Sequence, residues 1–187
     1  NGVLDFSEAL GGVRYQNRTI TMELYCFAPE DELFSMEEAC RNALHGKKLD
    51  IVFSEDPEYA YRGRISVEWA SGGNIDTATI TADCDPYKYK RSATVVEGDV
   101  AGTHSFLLEN NGNMPVTPMV FLTLPEGTES GEVTLTFGET TLNVNPNETN
   151  SGMGRKVAGL YLEEGSSKNV TVSGNVHVKF EYQEGML

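Results

Sequence analysis

Over residues 59–69 the chain alternates with a period of two: Tyr59, Tyr61, Ile65, Val67 and Trp69 fall on one face, Arg62, Arg64, Ser66 and Glu68 on the other. Only an extended backbone sends successive side chains to opposite sides, so this segment is expected to be a strand with one buried and one solvated face. The period recurs at residues 19–27, where Ile20, Met22, Leu24 and Cys26 share the expected core face, and at residues 75–84, where Ala78, Ile80, Ala82 and Cys84 oppose Thr77, Thr79 and Thr81. Residues 49–53 read as a short strand. Gly63 marks a bulge or a close backbone approach. Ser71-Gly72-Gly73-Asn74 reads as a hairpin turn, and Asp85-Pro86 as the end of the strand that follows it.

One helix is expected, over residues 35–45. Ser35 and Glu38 have the spacing of a capping box, Phe34 is placed to staple onto Ala39, and Gly46 supplies the stop. Ala39, Cys40, Ala43 and Leu44 form a stripe narrow enough to lay this helix on a sheet but not to build a bundle. A basic, aromatic stretch, Tyr87-Lys88-Tyr89-Lys90-Arg91, ends the first half, and a domain boundary is expected near residue 91. The second half reads as short strands at residues 104–108, 116–124, 132–137, 140–144, 157–162, 169–173 and 176–182. Turn signals such as Asn110-Asn111-Gly112-Asn113 and Glu163-Glu164-Gly165 separate them, and residues 145–154 form the longest polar loop. The expected fold is mainly β: an N-terminal β-sandwich with one short helix over residues 1–91, and a C-terminal jelly-roll or galectin-like β-sandwich over residues 92–187.

Charge and composition narrow the partners. Fourteen basic against 28 acidic residues give a net charge of −14, which repels a phosphate backbone, so nucleic acid is not an expected partner. No apolar run approaches the roughly 20 residues of a spanning helix, so no membrane is expected either. The three cysteines, Cys26, Cys40 and Cys84, are odd in number and widely spaced, which fits neither a disulfide framework nor a metal site. They read as small hydrophobes of a protein assembled in a reducing cytosol. The opening Asn1-Gly2-Val3-Leu4-Asp5 has neither a basic leader nor an apolar stretch, so no signal peptide is expected there, and the glycosylation-like triplets at Asn17, Asn147 and Asn169 carry no weight.

A search for catalytic constellations yields little. His45, His104 and His177 are far apart and lack the spacing of a helix-borne zinc site. Asp83-Cys84-Asp85 offers two carboxylates without the further oxygens or the glycine of a calcium loop. Glu30-Asp31-Glu32 and Glu55-Asp56 read as solvated loops. No nucleophile elbow, Walker loop or dinucleotide fingerprint occurs. We therefore expect no catalytic, cofactor-binding or metal-binding residues and no cofactor. Arg18, Arg62 and Arg64 are the candidates for subunit assembly, because arginines on the exposed faces of strands can make bidentate pairs with acidic groups of another copy; pairing within the chain is the equal alternative.

Five segments in order carry a resemblance: Gly2-Val3-Leu4-Asp5-Phe6-Ser7-Glu8-Ala9-Leu10, Tyr15-Gln16-Asn17-Arg18-Thr19-Ile20-Thr21, Leu44-His45-Gly46-Lys47-Lys48-Leu49, Tyr61-Arg62-Gly63-Arg64-Ile65 and Cys84-Asp85-Pro86-Tyr87-Lys88-Tyr89. Together with the final Val176-His177-Val178-Lys179-Phe180-Glu181-Tyr182 and Gly185-Met186-Leu187, they resemble the siphophage distal tail proteins, the siphovirus tail component family. Residues 92–175 match that family only in character.

The resemblance implies a phage or prophage structural protein rather than an enzyme. Its N-terminal belt would form a hexameric ring joining the tail tube protein to tail-tip, baseplate or receptor-binding proteins, with the second domain projecting outward. The expected location is the virion tail, after assembly in the bacterial cytoplasm. Family members usually carry an opening β segment ahead of Gly-x-Leu-Asp, so the resemblance also implies that first strands of the belt precede Asn1. The alternative reading is a host-adhesion module that binds cell-surface sugar on an aromatic platform, for which the second half offers Tyr161, Tyr182, Phe106, Phe121, Phe137 and Phe180, most of them at core spacing.

Overall fold

The structure, a computed structural model, describes residues 15–72, 75–126, 131–145 and 154–187, the side chains of Glu30 and Asp31 excepted. The chain is mainly β, with one helix among the described residues and its strands gathered in two sheets. It divides into two compact units, one of Asn1–Glu55 and Ala60–Lys88, the other of Asp56–Tyr59 and Tyr89–Leu187. The expected motif at residues 2–10 lies outside the described residues, as does most of the expected polar loop at residues 145–154.

Unit 1 is built on β1 (Arg18–Cys26), α1 (Glu30–Leu44), β2 (Lys48–Ile51), β3 (Tyr59–Ala70) and β4 (Asp76–Lys90). The strand order β1-β4-β3-β2 places β1 and β2 at the edges. β1 pairs antiparallel with β4 from Arg18↔Cys84 to Cys26↔Asp76, and β2 with β3 from Lys48↔Arg64 to Ile51↔Tyr61. The alternation of β3 and β4 is realised as burial: Ile65, Val67, Ile80, Ala82 and Cys84 form the core, with Ile20, Met22, Cys40, Leu44 and Tyr61 against them. Gly63 is a close approach and not a bulge, because a Cβ there would lie 2.5 Å from Cys84 Sγ and 2.8 Å from the Asp83 carbonyl oxygen. Of the three cysteines only Cys84 is fully buried; Cys26 and Cys40 are half-buried.

Two expectations fail in unit 1 for local reasons. The helix begins at Glu30, five residues before the expected start, with Pro29 at the N-cap accepting the Leu33 amide. The run Glu30-Asp31-Glu32 is therefore its first turn and not a loop, and acids suit that end because the helix dipole is positive there. Ser35, well inside the helix, donates to the Glu32 carbonyl at 2.8 Å instead of capping, and Phe34 is 72% exposed instead of stapling. β4 also runs through Asp85-Pro86 instead of ending there. Pro86 lies beyond the last β1 pair, Arg18↔Cys84, so on that side no ladder bond needs the amide that proline lacks.

Unit 2 consists of β5 (Thr94–Glu109), β6 (Met119–Thr123), β7 (Val133–Phe137), β8 (Thr140–Val144), β9 (Arg155–Lys156), β10 (Ser167–Tyr182) and β11 (Gly185–Met186). β10 is its spine. It pairs with β5 along its whole length, from Ser167↔Glu109 to Tyr182↔Thr94. On its other side it pairs with β7 at residues 171–173 and with β6 at residues 177–181. Between those two partners lies Gly174, paired across the ribbon with Gly102; both have positive φ, 144° and 97°, which residues with a Cβ rarely adopt. The ladder runs through this pair, and Val170, Val172, Val176, Val178, Phe180 and Tyr182 stay buried on one face.

β10 replaces the two strands expected at residues 169–173 and 176–182: Gly174-Asn175 has the composition of a turn, but the β5 ladder continues past it. β5 starts ten residues before the expected residue 104, because within Thr94–Thr103 only Val100 is buried and the alternation is muted. The strand expected at residues 157–162 is irregular chain that buries Val157, Leu160 and Leu162, with a lone bridge from Leu162 to Val116.

Candidate assembly surface

The three candidate arginines lie on β1 and β3, and each is engaged within unit 1. The Arg18 guanidinium sits 5.1 Å from the centre of the Tyr61 ring. Arg62 forms a two-bonded pair with Asp50 of β2, Nε at 2.8 Å from Oδ1 and NH2 at 3.2 Å from Oδ2. Arg64 donates to the Gly46 carbonyl at 2.6 Å. Its neighbours pin the helix exit onto β3: the Gly46 amide donates to Ile65 O and the Val67 amide to His45 Nδ1. Exposed pairs of the Arg62–Asp50 kind contribute about 0–1 kcal/mol, so they set register more than stability.

Around these arginines the structure exposes apolar groups that periodicity could not identify. At the far end of β1, Leu24 is 49%, Tyr25 61% and Phe27 71% exposed, although Leu24 was expected on the core face. The pair Cys26↔Asp76 puts Ile75, 42% exposed, at the same end of the sheet as Phe27. Phe34 and Met36 on α1 are exposed as well. The sequence shows these side chains but not that they stay exposed among the described residues of unit 1.

Beside this patch lies a buried carboxylate without a sequence signal, Asp76 at the foot of β4. Its Oδ2 accepts from Trp69 Nε1 at 2.8 Å, and Oδ1 accepts from Ser71 Oγ at 3.0 Å and the Gly72 amide at 3.2 Å. The Trp69 hydrogen bond, helped by Ser71 and Gly72 against the cost of burial, holds its pKa below the ordinary 3.8. It fastens the β3–β4 connection.

Unit 2 has a comparable fastener at its C-terminal end. Glu184, 3% exposed, is bonded by Lys90 Nζ at 3.1 Å and by the Asn111 amide at 2.9 Å. Burial pushes its carboxyl up, but those donors outweigh burial and the net shift is downward. Asn110, also buried, donates to Met114 O and Glu163 O, and its Oδ1 accepts from the Gly112 amide. The turn read at residues 110–113 is thus a tie for the C-terminal residues.

The aromatic residues of unit 2 are committed elsewhere. Phe106, Phe137, Phe180 and Tyr182 are in its core. The Phe121 ring has Lys179 Nζ 4.2 Å from its centre, and Gly154 lies so close that a methyl group there would overlap the ring. Tyr161, 47% exposed, is covered by Lys168 at 4.6 Å. The histidines stay apart: His45 serves β3, His104 packs on Phe106, and His177 Nδ1 lies 2.8 Å from Asp99 Oδ1. Asp85 sits 3.6 Å from Lys48. Burial, followed by the charges of Asp83 and Asp85, pushes the Cys84 thiol up, away from thiolate chemistry. Among the described residues no three His, Cys, Asp or Glu side chains converge on a metal-sized site.

The fold therefore defines a mainly β protein of two units, a small sheet carrying one helix and a larger β unit organised on a single long ribbon. No protein-family model matches the sequence, and no curated protein matches it significantly. Among solved structures, the fold is similar to that of the Dit protein of phage SPP1, with a TM-score of 0.59 and 18% identity over 93% of this chain and 81% of that one. That protein is described as a paradigm of the hub adsorption apparatus in phages that infect Gram-positive bacteria. At this identity the likeness is one of fold.

Proposed function

We propose that this chain is a structural protein of a phage tail tip, a distal tail protein that assembles as a hexameric ring between the tail tube protein and the baseplate or host-recognition proteins. In this reading residues 1–91 form the belt and residues 92–187 a galectin-like outer domain, carried in the virion tail of a phage or prophage after assembly in the host cytoplasm. The observation that carries it is the exposed apolar group Leu24, Tyr25, Phe27, Ile75 and Phe34 on a unit with a small core. Large apolar side chains left exposed on a unit with so small a core suit a protein interface. The fold shared with Dit supports the choice of partner class. A ring needs a heterologous contact that closes on itself, and β1 and β2, each unpaired on its outer side among the described residues, offer different surfaces for one. Arg18, Arg62 and Arg64 belong to these edges and to β3 between them, where their charge offsets the acidity of neighbouring copies.

Native mass spectrometry of the protein tests this reading. A species of six times the 20.5 kDa chain mass is expected. A monomer that persists at high concentration and does not bind tail-tube protein would overturn it. The sugar-binding alternative has less support, because the aromatic side chains it needs are buried or covered.

A further inference from the structure

The longest free sheet edge of unit 2 belongs to β5. Its sixteen residues pair with β10 on one side, and among the described residues no strand pairs with the other side. The other strands at the ends of this sheet, β8 and β9, have five and two residues. An open edge presents a row of unpaired amides and carbonyls, and proteins that keep such an edge solvent-facing break it with charged side chains, proline or a bulge. Thr94–Glu109 contains no lysine, arginine or proline, and its pairing with β10 is unbroken by any bulge. Gly102, with a φ of 97°, separates the arm of residues 94–101 from the arm of residues 103–109. The edge thus lacks proline and bulges, and its charges are carboxylates, of which Asp99 already meets His177 at 2.8 Å.

The first arm also specifies a chemistry. Val95, Glu97 and Asp99 alternate on the face opposite the core; Val95 is 47% and the Asp99 side chain 91% exposed. Two carboxylates two residues apart repel a second copy of the same edge and attract a strand with cations at the same spacing.

We infer that residues 94–101 accept an extended segment of another protein by strand addition, a segment with lysine or arginine at alternate positions and an apolar residue to meet Val95. Backbone bonds along the edge supply affinity, and the Glu97 and Asp99 carboxylates supply selectivity. This surface is in unit 2 and does not require the ring proposed for unit 1, so either can fail without the other.

The test is hydrogen exchange of the full chain with two synthetic probes, Thr-Lys-Val-Lys-Val-Thr and Thr-Glu-Val-Glu-Val-Thr. Slower exchange over residues 94–101 is expected with the lysine peptide and not with the glutamate peptide. The exposed double substitution E97K/D99K should reverse that preference and weaken the lysine peptide about tenfold or more, as two cross-strand attractions become repulsions. No slowing by either peptide, or equal slowing by both, overturns the inference. So does slowing that appears without peptide as protein concentration rises, because the occupant is then a second copy.

Discussion

Among the described residues unit 2 buries eighteen apolar residues in one continuous core, whereas the core cluster of unit 1 has five buried residues with a ring of half-buried ones around it. Exposure runs the other way: nine large hydrophobic side chains are exposed in the described part of unit 1 and four in unit 2. Both units are built from alternating strands, but those of unit 1 hold a single valine, Val67, whereas those of unit 2 are valine-rich, so unit 2 has more β-branched side chains to bury. In unit 2 a sixteen-residue ribbon runs through two facing glycines of positive φ and carries one buried face past two sets of partner strands. In unit 1, among the described residues, the sheet has two unpaired edges and a single helix to cover it. A unit with a modest core and uncovered apolar ends gains the most from meeting another surface.

The largest effect expected is in unit 2. Phe180 is fully buried near the C-terminal end of β10, and Phe180→Ala should cost about 3–5 kcal/mol by leaving a cavity. Calorimetry should show the transition of unit 2 falling while that of unit 1 holds; a joint fall would mean that the units unfold as one. Gly63→Ala is the counterpart in unit 1. The added Cβ collides with Cys84 and with main chain that cannot swing aside, so a loss of about 1–3 kcal/mol confined to unit 1 is expected in denaturant titration.

Acid should loosen both units through their buried carboxylates. The Asp76 and Glu184 pKa values are depressed in the folded state, so the stability they confer is present above their ordinary values of 3.8 and 4.5 and is lost as pH falls below them toward the folded-state values. Asp76→Asn should flatten the acid limb of unit 1 and leave that of unit 2 unchanged, which a series of thermal melts between pH 2 and 6 would resolve. The smallest effect on folding is expected from Tyr25→Ser with Phe27→Ser, within about 0.5 kcal/mol because both side chains are exposed. The same pair should nonetheless reduce self-association in sedimentation velocity. Unchanged association would place the ring contact elsewhere in unit 1.

The mainly β class, the single helix and the two-faced character of β3 and β4 were legible from the sequence, because period-two alternation with one apolar set permits little else. Arg62 and Arg64 lie on the face of β3 opposite Ile65 and Val67, as the alternation implied, although the Arg62 partner, Asp50, comes from a strand twelve residues away; Arg18 instead shares the face of Ile20 and Met22 and stacks on Tyr61. The start of α1 was not legible, because Pro29 ahead of an acidic run can open a helix or a loop and Ser35-Glu38 offered a plausible later cap. Nor were the Asp76 and Glu184 fasteners: a lone acid in a polar stretch looks solvated until a tryptophan, or a lysine and an amide, is brought against it.

What the sequence determined by itself was local: which residues extend, which alternate, and that the chain is acidic and built of strands. Tertiary structure decided which alternations ended up covered. Leu24 and Ile20 share one face of the same strand, yet Ile20 packs on the core and Leu24 is half exposed. Gly174 reads as a turn, yet β10 runs through it because β5 supplies a continuous ladder on one side. The physical reason is common to both: alternation is a property of one strand, whereas burial and pairing depend on neighbours that come from distant parts of the chain.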